Sequence, residues 1–196
     1  MKEIVKFRGI KSELRILGID SCPSITQKKG NITIIGIVYR GGLWLDGAMK
    51  TNVEIDGLDV TEKISDMIKK STHYGQIRVI MLSGIAFAGL NIVNIKQLFE
   101  FTGLPIIALN RKEPNINRII DMVKKLPDEG SRLKSIQEAG TINKWISNRG
   151  YICIQFSGLL MSDVEKILET SCRYSNIPEP LRVAHIVASG FMEPII

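Results

Sequence analysis

The sequence predicts an α/β fold: a mixed sheet whose first three strands are antiparallel, with helices on both faces. Two patterns predict it. The front third reads as strands joined by short glycine-containing turns, and from residue 59 onward helical and strand patterns alternate. The bulk composition agrees, because 196 residues with 44% hydrophobic and 23% charged side chains can bury a substantial core. We read residues 1–196 as one domain.

The elements follow in order. Residues 14–20 (LRILGID) form a mostly apolar run that ends at an acid, and residues 31–39 (NITIIGIVY) are rich in β-branched side chains. Gly41 and Gly42 punctuate the chain before two further extended pieces, at 43–46 and 51–55. Asp59 and Glu62 have capping-box spacing, and Ile64, Met67 and Ile68 share the helical face that follows. Residues 77–82 (IRVIML) predict a strand. Residues 91–102 predict a helix ended by Gly103, and Pro105 opens the strand PIIAL. Beyond it we expect helices broken at Pro127 and Gly130, a strand at 151–156, a helix capped by Ser162 with Glu165, and a last helix after Pro178.

No apolar run approaches the roughly 20 residues a membrane helix needs, and MKEIVKFRGIKSE has charges where a signal peptide needs an apolar stretch. The expectation is a cytoplasmic protein without a membrane partner. Cys22, Cys153 and Cys172 show no C-x-x-C spacing, which signals neither a disulfide framework nor a zinc site. The formal charge is +6, and residues 111–150 carry nine Lys or Arg against five acids. That segment could follow a phosphate backbone or simply be solvated helix faces.

Asp20 leaves a buried strand and precedes Ser21, Cys22 and Pro23. A carboxylate on rigid sheet and open to solvent suits a metal ligand or a general base, and it equally suits a turn-initiating Asp. Glu62 is either a second acid of a site or the far member of the Asp59 capping box. Ser83 ends the strand that should lie beside the Asp20 strand, and serine is a poor ligand for a hard divalent cation. Residues 84–89 (GIAFAG) have phosphate-loop spacing, but Leu90 and Asn91 stand where Lys and Ser or Thr are needed. A weaker reading places a small phosphate ligand at this turn and the helix start after it. With His73 and His185 as the only histidines and no G-x-S-x-G, a hydrolase triad has little material.

Asp20, Glu62, the stretch from Ser83-Gly84 to Gly103-Leu104-Pro105, and the tail IPEPLRVAHIVAS at 177–189 resemble endonuclease V. They are closer still to its archaeal relatives classed as a domain of unknown function. The resemblance runs from about residue 16 to 189, and the tail is its most specific part. It implies a ribonuclease-H-like fold and Mg²⁺- or Mn²⁺-dependent cutting of a phosphodiester near a deaminated base in RNA or DNA. It further implies that Asp20 and Glu62 bind the metal, that Arg111 stands where the family has a lysine near the scissile phosphate, and that His185 matches an acid-or-histidine position in the last helix. A structural role for His185 stays open. Two departures stand out: Ser83 replaces the family's central metal-binding Asp, and 52–57 (NVEIDG) replaces the P-Y-[IV]-P-G wedge.

Two functions follow. One is a metal-dependent nuclease with an altered site, in which Asp20 and Glu62 hold the cation and Arg111, Lys112, Arg118, Lys124 and Lys125 hold the backbone. The other is a relative that binds nucleic acid, or regulates, without catalysis.

Overall fold

The structure, a computed structural model, describes residues 4–22 and 29–191. Its centre is a seven-stranded sheet in the order β3-β2-β1-β4-β7-β9-β8. Strands β1 (Arg15–Ser21), β2 (Asn31–Arg40) and β3 (Trp44–Glu54) form the antiparallel meander the glycine turns predict. The extended pieces at 43–46 and 51–55 are one strand, whose middle alternates in exposure because β3 is the sheet's edge. Strand β4 (Val79–Ser83) pairs parallel with β1, and β7 (Ile106–Asn110) pairs parallel with β4. The short strands β5 (Ala86–Phe87) and β6 (Asn91–Ile92) form a separate hairpin, so residues 84–89 make a β-turn structure and no phosphate loop. Strand β9 (Gly150–Ser157) returns antiparallel to β7, and β8 (Asn143–Ser147) pairs with it as the far edge.

Helices cover both faces. Helices α1 (Val60–Lys70), α2 (Ile95–Thr102), α3 (Ile116–Val123) and α4 (Glu129–Glu138) bury apolar residues in one cluster with Leu17, Ile19, Ile80 and Leu82 of the sheet. Helices α5 (Met161–Ser171) and α6 (Glu179–Gly190) pack on the other face, against Ile16, Val79, Met81 and Ile107 and against Ile35 and Ile37. Strand residues alternate between the two clusters because successive side chains point to opposite faces.

Several ends differ from expectation for local reasons. Asp59 does not cap α1; its Oδ1 instead accepts from the Glu54 N–H (3.2 Å) and the Asn91 side-chain amide (2.7 Å). The Val60 N–H at the helix start donates to Asn91 Oδ1 (3.2 Å), so a residue 31 positions away does the work of the capping box. Helix α2 begins at Ile95, capped by Asn94, because residues 91–92 are taken by β6. Gly103 ends α2 in the left-handed conformation as expected. Gly130 and Ser162 lie inside the first turns of α4 and α5, where they neither break nor cap. Among the described residues no helix is long and apolar enough to cross a membrane.

Candidate functional site

The parallel pairing of β1 with β4 puts Ser83 level with Asp20, one strand over, and β7 brings Asn110 and Arg111 to the same end of the sheet. Helix α6 completes the arrangement. A Cβ at Gly18 would come within 2.3 Å of the Pro180 backbone, so only glycine lets the start of α6 rest directly on β1. From Pro180 to His185 the helix rises about 7.5 Å, while β1 advances about 6.6 Å from Gly18 to Asp20. The two side chains therefore meet, and His185 Nδ1 lies 2.9 Å from Asp20 Oδ2.

Asp20 is 8% exposed. Its Oδ1 accepts from the Ser21 N–H at 2.8 Å. Burial pushes its carboxyl above the ordinary aspartate value, against the opposing effects of the Ser21 N–H, of His185 and of the Ser83 hydroxyl. An ionised Asp20 accepts a hydrogen bond from Nδ1–H of His185, whose other ring nitrogen remains for another partner; the His185 side chain is half exposed. Around this pair lies a pocket of about 150 Å³ lined by Asp20, Ser83, Asn110, Arg111 and His185, with Leu109, Ile177 and Leu181 as its apolar walls.

Of the residues singled out in the sequence, Asp20, Ser83, Arg111 and His185 are thus brought together. Glu62 is not among the lining residues. It is exposed on α1, on the opposite face from α6, and lines a separate hollow of about 400 Å³ with Asn94, Lys96, Glu100 and Glu138. Lys112, Arg118, Lys124 and Lys125 are exposed along the chain from the end of β7 through α3, outside the pocket lining. Arg132 of the same basic segment is buried, and its guanidinium donates to the carbonyls of Asp56, Gly57 (2.9 Å) and Leu90. It welds the turn before α1 to the β5–β6 hairpin and is unavailable to phosphate.

Asn110 is the residue sequence reading missed. Gly84, at φ +79°, leaves room for it, since a Cβ there would sit 3.0 Å from Asn110 Oδ1. The signal was present, because Asn110 directly follows the predicted strand PIIAL and closes β7, much as Asp20 closes its own predicted strand. Among the described residues no group of three or more His, Cys, Asp or Glu is placed to hold a metal ion. Cys22, Cys153 and Cys172 are free thiols, and burial pushes all three pKa values up, that of Cys172 to about 12.

A sheet of this order, with the antiparallel meander feeding two parallel strands, is ribonuclease-H-like, and endonuclease V shares it. The crystal structure of Ciona intestinalis endonuclease V in complex with DNA containing an inosine matches with a TM-score of 0.60 at 13% identity, covering 90% of this chain and 85% of that one. The chain belongs to the endonuclease dU family, whose model matches residues 12–192. A UPF0215 protein of Methanothermobacter thermautotrophicus is 46% identical over 185 residues, 94% of this chain and 90% of that protein. The crystal structure of a protein of unknown function from Archaeoglobus fulgidus matches with a TM-score of 0.83 at 34% identity, covering 92% of this chain and 99% of that one.

Proposed function

We propose that the protein is a divalent-metal-dependent endonuclease that cuts a nucleic-acid strand near a deaminated base, the dU of the family's description being deoxyuridine, whose base is uracil. The observation that supports it most is the buried Asp20 paired with His185 in a pocket that also holds Arg111. One carboxylate with two weaker neutral oxygens is enough for a cation that keeps most of its waters. Mg²⁺ commonly takes one or two carboxylates plus waters and substrate phosphate oxygens, and the pocket offers the Asp20 carboxylate, the Ser83 hydroxyl and the Asn110 amide oxygen. When bound, such a cation supplies charge to the phosphate oxygens and activates water. We assign it to Asp20, the one charged oxygen donor of the pocket, with the neutral Ser83 and Asn110 oxygens as weaker ligands; Glu62 lines another hollow.

The chain's own groups then divide the work. Arg111 binds the phosphate flanking the cut, as a planar guanidinium does well. Asp20 holds Nδ1–H of His185, which leaves the other ring nitrogen to take the proton of the attacking water or to return one to the leaving oxygen. Leu109, Ile177 and Leu181 exclude bulk water from one side. Strands carrying deoxyuridine, inosine or no modified base, in DNA and in RNA, incubated with Mn²⁺, Mg²⁺ or chelator, test the proposal. The expected result is cleavage of the deoxyuridine strand that stops with chelator. Cleavage of none of them, or cleavage indifferent to chelator, would overturn it.

A second reading, nucleic-acid binding without catalysis, is favoured by Ser83 at the level of Asp20, where a carboxylate would complete a two-acid site. It predicts salt-dependent binding and no turnover with any metal.

A further inference from the structure

The β8–β9 hairpin overshoots β4 and β7 at the Asp20 end of the sheet. Asn110, the last residue of β7, pairs with Cys153, but β9 runs on through Tyr151 to Gly150 before turning into β8. The three residues beyond Cys153 project about 10 Å past β7. Tyr151 and Ile146 are directly opposite each other there, so they share a face, and they are 46% and 77% exposed. Lys144 lies on the same face, its Nζ 5.7 Å from the Tyr151 ring centroid and 2.8 Å from Glu113. Exposed Arg149 occupies the turn and exposed Lys112 the exit of β7. The hairpin is held in place from below, where the Asn176 side-chain amide donates to the Tyr151 carbonyl at 3.0 Å.

We propose that this hairpin is a substrate arm on which one base of a single nucleic-acid strand stacks, with Tyr151 as the platform and Lys112, Lys144 and Arg149 on the flanking phosphates. An exposed ring with an apolar neighbour, set among three cations and one acid, matches the chemistry of a strand that offers a flat base and a charged backbone. The Lys144–Glu113 pair does not oppose this: an exposed ion pair is weak, and a phosphate can take the place of the carboxylate. Tyr151 lies three strand spacings across from Asp20, about 14 Å, and about 10 Å further along the strands, or roughly 17 Å in all, with its side chain on the face opposite α6, so the bound strand crosses the end of the sheet. That equals about five nucleotides of a stacked strand at roughly 3.4 Å each. The arm therefore contacts the strand a few nucleotides from the pocket, and it rests on the reading that the pocket takes nucleic acid.

The test is the affinity of a labelled single-stranded oligonucleotide for the Asp20→Asn protein, which binds without cutting, compared with the same protein carrying Tyr151→Phe or Tyr151→Ala. The expected result is about tenfold weaker binding for Tyr151→Ala and little change for Tyr151→Phe, which keeps the ring. An oligonucleotide with 2-aminopurine at successive positions should report a stacked base at one register that Tyr151→Ala abolishes. Equal affinity for all three proteins overturns the arm, as does a second copy of the chain covering Tyr151 in solution. Tyr151-dependent binding by a protein whose wild type cuts nothing would keep the arm and remove the nuclease reading. Cleavage by wild type with Tyr151-independent binding would do the reverse.

Discussion

Asp20 sits where a charged group costs most and can do most. Because burial raises its folded pKa above the unfolded value, the folded chain holds the proton more tightly between the two. Stability therefore falls as pH rises through the folded pKa and stays lower above it. Replacing the carboxylate by the neutral amide in Asp20→Asn should raise Tm at neutral pH, by about 2–4 °C for each kcal/mol released in a chain of this length. The gain should shrink as pH falls through the folded pKa of Asp20. Thermal melts across the acid range check this, and a lower Tm for the variant at neutral pH would mean that the His185 pairing outweighs burial. At this scale the sequence was informative about Asp20 and Ser83, since adjacent strand ends fix where both side chains sit. The partnership of Asp20 with His185 joins residues 165 positions apart. Only the packing of α6 on β1 creates it, and the residues alone carried no sign of it beyond the family resemblance. Glu62 stands differently: its chain position suggested a partner for Asp20, whereas α1 lies on the other face of the sheet from α6 and Glu62 lines a different hollow.

Helix α6 is the element that turns a strand end into a pocket, and its seat is Gly18. A side chain there meets the Pro180 backbone, which cannot rotate away as a flexible side chain would. Gly18→Ala should cost about 3 kcal/mol and lower Tm by about 6–12 °C. It should also lift His185 from Asp20, which shows as loss of the His185 histidine-carboxylate signature by NMR. Gly9→Ala, where an added Cβ meets nothing within 4 Å, is the control and should leave both unchanged. Equal melting of the two variants would contradict the seating of α6. The long elements were legible because their periodicity and glycine or proline boundaries are local. The cap of α1 and the start of α2 were not, because Asn91 serves the first and β6 displaces the second. Strand β8 (NKWIS) was missed because an edge strand buries one residue, Trp145, and leaves no alternating stripe to read.

Across the whole molecule, the order of strands places Asp20, Ser83, Asn110 and Arg111 at one end of the sheet, where α6 adds His185, and the basic segment and the β8–β9 hairpin leave from the same end. The sheet class and its antiparallel start were legible from pattern alone. Which face each helix takes was not, because an amphipathic helix states that it buries a stripe and is silent on which side of the sheet receives it. That assignment decides the site. It groups Asp20, Ser83, Asn110, Arg111 and His185 and leaves Glu62 outside. The most direct measurement is therefore the rate of cleavage of a deoxyuridine-containing strand with Mn²⁺ by wild type, Asp20→Asn and Glu62→Gln in parallel. A loss of at least about 100-fold in Asp20→Asn, on the scale of removing a proton-transfer or charge-stabilising group, with Glu62→Gln close to wild type, is the predicted result. Undiminished cleavage by Asp20→Asn, or an equal collapse in Glu62→Gln, would contradict it.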